Sequence, residues 1–145
     1  MALDKADWHY GGDFPEELPD ENGATHIGMF IAWIIQQELE GEVHHEDEDG
    51  KQALEAVRQR TMTGRDFLQT QCDEKFWAED LNDEGLAFAH YYYSDEEGGL
   101  GSYYEDYEQT LAADLPTIYH VEDTWNNYDR LKPVIDQRFA EWKSV

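Results

Sequence analysis

The chain of 145 residues carries 34 Asp and Glu against 10 Lys and Arg, a formal net charge of −24, so its surface repels phosphate backbones and anionic lipid and draws cations or basic proteins over a Debye length of about 8 Å. Hydrophobic residues make up 40% and aromatics 14%, which excludes the aromatic-poor acidic tails that stay unfolded. One domain of this length buries roughly 70% of the surface its unfolded chain exposes, so residues 1–145 are expected to form a single domain whose acid lies on the outside.

Cys72 is the only cysteine, which rules out an intramolecular disulfide and the Cys-rich zinc patterns. The N-terminus MALDKADWHY has no basic segment leading into an apolar run. The longest apolar run, Ile27 to Ile35, is far short of the roughly 20 residues of a spanning helix. A soluble protein of the reducing cytoplasm is the expectation, with no membrane and no nucleic acid among its partners.

Residues 1–23 read as a structured arm. Gly11, Gly12, Pro15 and Pro19 punctuate the stretch from Asp7 to Asn22 too often for a helix, and Trp8, Tyr10 and Phe14 can anchor it. From Ala24 to Glu40 the chain turns helical, and Ile27 to Ile35 is apolar nearly all round, which places this helix at the centre of the molecule, with Gly41 as its stop. EVHHEDEDG follows as an acidic surface loop. A short helix starting near Asp49 places Ala53, Leu54, Val57 and Arg58 on one face. Thr63 with Asp66 imitates a capping box for a helix carrying Phe67, Leu68, Gln71 and Cys72.

After Asp83 a further helix is predicted, with Leu86, Ala87, Ala89, His90 and Tyr93 on its buried side. DEEGGLG, Asp95 to Gly101, closes it. Tyr103, Tyr104, Tyr107, Leu111 and Leu115 recur at helical intervals before Pro116, and β-branched residues in Ile118 to Val121 suggest a short extended piece. In the last helix Leu131, Val134, Ile135, Arg138, Phe139 and Trp142 follow one face, and Pro133 suits its first turn. The predicted fold is all-α: a single compact domain of five or six helices around the central apolar helix, with an N-terminal Gly/Pro-rich arm.

Two constellations carry candidate chemistry. Tyr91 to Glu108 combines tyrosines with carboxylates around a turn. Tyr91, Tyr92, Tyr93 and Tyr104 offer contact area, and Asp95, Glu96, Glu97 and Asp106 offer charge to Lys or Arg of a partner. Glu46 and Asp47 in the acidic loop form a second such surface. The other constellation is a His and carboxylate set, Asp7, His9, Asp13 and His26, which meets as a metal site if the arm folds back on the start of the central helix. His120, in the HVED run before Trp125, has carboxylate neighbours that can shift its pKa, while Asp123 or Thr124 can simply cap the following segment. No GxSxG turn, HExxH or calcium-loop pattern occurs.

DWHYGGDFPEELPDENGATHIGMFIAW (Asp7 to Trp33), CDEKFWAEDLNDEGLAFAHYYY (Cys72 to Tyr93) and YHVEDTWNNYDRLKPVIDQRFAEW (Tyr119 to Trp142) together resemble one uncharacterised family of small acidic bacterial proteins. This sequence has EGLAFA at Glu84 to Ala89 where the family tends to read EGNAFA. The resemblance brings no reaction and no catalytic residues. In size and charge, though not in motif, the chain is also similar to the cytoplasmic immunity partners of bacterial toxins. The expected function is therefore a non-catalytic acidic binding protein without a cofactor, whose partner is a basic protein, in the most specific form a toxin whose basic active site it occludes. The alternative is a small helical metal-dependent hydrolase.

Overall fold

In the computed structural model of the protein, residues 2–9, 14–93 and 101–144 are described. Six α-helices dominate: α1 (Thr25–Gln36), α2 (Glu48–Arg58), α3 (Gly64–Gln71), α4 (Asp83–Tyr92), α5 (Ser102–Leu111) and α6 (Trp125–Lys143). Short 3-10 turns at Ala6–His9, Asp20–Ala24, Glu42–His45, Ala78–Asp80 and Ile118–His120 link them. The fold is mostly helical but not all-α, because β1 (Ala2–Lys5) pairs antiparallel with β2 (Lys75–Trp77), with an irregularity between Ala2 and Asp4. This small ladder ties the N-terminus to the middle of the chain.

Helix α1 is the central one. Every residue from Thr25 to Ile35 is buried, as expected of a helix apolar all round. It ends at Gln36, earlier than the sequence suggests. Glu38, not Gly41, takes the left-handed conformation with φ 59°. The amides of Glu38 and Leu39 then donate to the carbonyls of Ile35 and Ile34 at 3.1 and 2.9 Å, closing the last turn. Helix α3 crosses α1 where Gly28 faces Gly64. A Cβ on Gly64 would overlap the Gly28 carbonyl, and one on Gly28 would overlap the Arg65 backbone. Two glycines at the crossing let the backbones approach.

The aromatic core is layered on α1. Phe30 meets Tyr93 at 4.9 Å and Tyr103 at 5.2 Å between ring centroids, and Trp33 meets Phe88 at 5.3 Å and Phe139 at 5.2 Å. On α4 the buried side is Gly85, Phe88, Ala89 and Tyr92, while Ala87 is exposed, so the predicted face is rotated. Ile118–His120 is a 3-10 turn and not extended. Pro133 lies inside α6, which begins at Trp125. The helix runs through a residue that lacks an N–H because Leu131 and Ile135 bury on either side of it, with Phe139 packed against the core.

Side chains cap four helices. Asp47 accepts from the Gly50 amide, Thr63 from Asp66, Asn82 from Gly85 and Thr124 from Asn127. The Thr63 hydroxyl also donates to Asp123 at 2.7 Å. Thr63→Ala is expected to destabilise the protein by about 1–2 kcal/mol in urea unfolding. Thr63→Ser should recover most of that loss, and a Ser variant no better than Ala would show that the hydroxyl is not what matters.

Candidate functional site

A carboxylate without a guanidinium lies at the base of the arm. Asp4 on β1 is 2% exposed and accepts hydrogen bonds from several directions. Oδ1 takes the Lys5 amide at 2.8 Å and His9 Nε2 at 2.9 Å. Oδ2 takes the Tyr93 hydroxyl at 2.6 Å, the Tyr104 hydroxyl at 2.5 Å and His26 Nε2 at 3.2 Å. Each partner comes from a different element: His9 from the turn after β1, His26 from the first turn of α1, Tyr93 from the end of α4 and Tyr104 from α5.

An ionised carboxylate only accepts, so both imidazoles carry their proton on Nε2 when they bond Asp4. His9 Nδ1 then accepts from the Tyr119 hydroxyl at 2.7 Å, and the two imidazole rings stand edge to face with centroids 4.5 Å apart. His26 Nδ1 is buried with no hydrogen-bond partner.

Burial works against the Asp4 charge, but the hydrogen bonds from His26 and His9 outweigh it and hold its carboxyl well below the usual range. Burial pushes His26 below its ordinary value against the pull of Asp4. Burial, and then the Asp4 charge, raises the Tyr93 and Tyr104 phenols, so they stay neutral donors. The cluster thus holds an ionised carboxylate in the interior among neutral phenols.

A second carboxylate and imidazole pair joins the 3-10 turn Glu42–His45 to the one that follows β2, Ala78–Asp80. His44 Nε2 meets Asp80 Oδ1 at 2.9 Å, and the Cys72 thiol lies 3.7 Å from the same oxygen. Burial, then Asp80, pushes that thiol strongly upward, so it is a protonated core group rather than a nucleophile. The other buried carboxylates are paired with arginine, Glu40 with Arg58 at 2.7 Å and Asp106 with Arg138 at 2.9 Å, and the half-buried Asp123 lies 3.3 Å from Arg65.

Of the tyrosine and acid constellation, Tyr92 and Tyr93 are core residues, and Asp106 is buried against the Tyr92 hydroxyl and Arg138. Their rings and charge are used internally, so they offer no surface. Tyr104 is half-buried with its hydroxyl on Asp4, and Tyr91 is exposed. Asp95, Glu96 and Glu97 lie outside the described residues, as does Asp13 of the metal set; the Asp7 side chain is likewise not described. His9 and His26 do meet, and Asp4, which sequence reasoning missed, joins them.

Glu46 and Asp47 are exposed. With Glu42, Glu48 and Asp49 they form an acidic ridge around the start of α2 in which no carboxylate is ion-paired among the described residues. His120 does not assemble with Asp123. Its ring bonds Thr117 at 2.9 Å and Glu17 at 3.2 Å, and it lines a groove of about 360 Å³ with Thr110, Asp114, Glu122 and Arg130.

Fold and centre together define a mostly helical, strongly acidic domain in which a buried carboxylate gathers imidazoles and phenols. The family model described as Domain of unknown function (DUF7832) matches residues 2–121. The chain belongs to that family, and the matched stretch contains every residue of the Asp4 centre. No curated protein and no solved structure matches the chain. Among the described residues no helix is long and apolar enough to cross a membrane.

Proposed function

We propose that the protein is a non-catalytic acidic binding protein that covers a basic surface on a partner protein, and in its most specific form a cytoplasmic immunity protein that occludes the cationic active site of a bacterial toxin. The observation that supports this reading is the ridge of Glu42, Glu46, Asp47, Glu48 and Asp49. Arg58, Arg60, Arg65, Lys75, Lys132, Arg138 and Lys143 are committed to carboxylates elsewhere, and Lys51 on α2 is a single ammonium beside these five carboxylates, so the ridge keeps most of its charge. Repulsion among like charges held this close is relieved when Lys or Arg side chains of a partner enter. The dipole of α2 steadies the carboxylates at its N-terminal end.

The test is association kinetics with a basic partner captured from the native host's lysate. The variant carries Glu46→Gln, Asp47→Asn, Glu48→Gln and Asp49→Asn. Asn caps a helix as well as Asp, so stability should hold within about 0.5 kcal/mol. Association is expected to slow by about tenfold or more and to lose most of its dependence on salt. Unchanged kinetics would remove this ridge from the interface. The rival reading, a metal-dependent hydrolase, has one observation on its side, the meeting of His9 and His26, and that observation concerns metal rather than hydrolysis.

A further inference from the structure

We propose that Asp4, His9 and His26 form a site for one divalent transition metal ion, with zinc the ion of first choice, which fastens the segment from β1 to His9 onto the start of α1. The ligand atoms of the three residues all lie within 4.8 Å of one another. Around a tetrahedral ion with bonds of about 2.0–2.1 Å, neighbouring ligand atoms stand about 3.3 Å apart. The separation of His9 Nε2 from Oδ1, 2.9 Å, is already near that edge, and His26 Nε2 lies 3.2 Å from Oδ2 of the same carboxylate. Changes of about an ångström in side-chain position bring three atoms within 4.8 Å of one another to that spacing.

Charge is the second argument. Glu40, Asp106 and Asp123 each have an arginine, whereas Asp4, more buried than Glu40 or Asp106, has no Lys or Arg partner among the described residues. A cation among two neutral imidazoles and one carboxylate supplies what the other buried acids obtain from a guanidinium. Two ring nitrogens and one carboxylate oxygen suit zinc and its first-row neighbours, whereas magnesium and calcium prefer oxygen throughout.

The outer contacts also fit. When an ion takes His9 Nε2, the ring proton moves to Nδ1 and donates to the Tyr119 hydroxyl, the kind of hydrogen bond that orients metal-bound imidazoles. Asp4 can bind through Oδ1 while Tyr93 and Tyr104 continue to donate to Oδ2. His26 Nδ1 has no partner with or without an ion, so it does not discriminate. The inference stands independently of the acidic ridge.

The experiment uses the full chain, stripped with EDTA and dialysed into buffer free of chelator and transition metals but containing excess Mg²⁺ to occupy weak surface sites. Titration with Co²⁺ is followed by visible absorption, then displacement by Zn²⁺. One Co²⁺ per chain, with the intense bands of a low-coordinate nitrogen and oxygen site, is expected, and Zn²⁺ should displace it and raise the melting temperature. His9→Gln, at the accessible edge of the cluster, should weaken binding by at least about 100-fold, and Tyr119→Phe by about 10-fold or more; circular dichroism checks that each variant folds.

Cys72→Ser should bind as the wild type does. Absence of stoichiometric Co²⁺ binding by the wild type overturns the proposal, as does full binding by a folded His9→Gln. Loss of binding in Cys72→Ser, with a thiolate charge-transfer band in the wild type, also overturns it by moving the ion to His44, Cys72 and Asp80.

Discussion

Asp4→Ala is expected to destabilise the metal-free protein by about 3–5 kcal/mol, lowering its melting temperature by on the order of 10–15 °C. The loss comes from what remains behind. The His9 and His26 rings, the Tyr93 and Tyr104 hydroxyls and the Lys5 amide all point at this carboxylate. Removing it leaves their donors facing a dry space, and a buried unsatisfied donor costs more than a hydrogen bond gains.

Comparison with the wild type across pH gives the sign. Hydrogen bonding holds the Asp4 carboxyl below its unfolded value of about 3.9. Its contribution is therefore complete above that value and fades as pH falls through the lower folded one. Between pH 7 and about 5 the stability gap between wild type and Asp4→Ala should widen, because Asp4 pulls the His26 pKa upward and the variant, lacking it, loses more as unfolded histidines take up protons. Below about 4 the part due to the Asp4 carboxylate should be lost. Taking the difference cancels the general relief of acidic self-repulsion. Urea unfolding in EDTA over that range measures it; a gap that is small at pH 7, or that shows no loss below about 4, contradicts the hub.

Gly28→Ala should be comparably damaging, with a loss of about 3 kcal/mol or more. A Cβ at this position meets backbone, namely the amide nitrogen and Cα of Arg65 and the carbonyl carbon of Gly64 at 2.8 Å. Backbone cannot swing aside as a side chain can, so α3 must move away from α1. Phe67 and Leu68, buried on α3, then leave their places in the core, and Arg65 shifts from Asp123. Gly64→Ala should behave alike, since its Cβ would meet the Gly28 carbonyl, and the two losses should not add because one displacement accommodates both. Urea midpoints of the two single variants and the double variant decide it; a Gly28→Ala midpoint equal to the wild type's would mean that the helices do not approach this closely.

What was legible in the sequence follows the range of the interactions. The apolar run of α1, the Thr63 cap of α3 and the stripe of Leu131, Ile135 and Phe139 on α6 are local patterns, and they stand where local periodicity places them. The β1–β2 ladder was hidden because ALDK and KFW are too short to alternate. Its pairing joins residues some seventy positions apart. Asp4 was hidden for the same reason: in the sequence it is one acid among many, and only the ladder, with Tyr93 and Tyr104 from two distant helices, makes it a buried hub. His9 and His26 were within reach because Gly and Pro in the arm imply a chain that turns back. The tyrosine-rich stretch misled, since composition cannot say which side of a helix faces inward, and Tyr92 and Tyr93 point into the core.

The family match stops at residue 121, just before α6 begins. Yet α6 presses Phe139 against Trp33 and Phe88, sets Trp142 5.6 Å from Phe88, and reaches back through Arg138 to Asp106 and through Tyr128 to Gln36. Residues 2–121 alone would thus leave a greasy side of the core open, and in this chain α6 seals it. A chain cut after residue 121 would keep every residue of the Asp4 centre and yet bare the rings of Trp33 and Phe88 to water, so the centre's scaffold depends on a segment that contributes nothing to the centre itself.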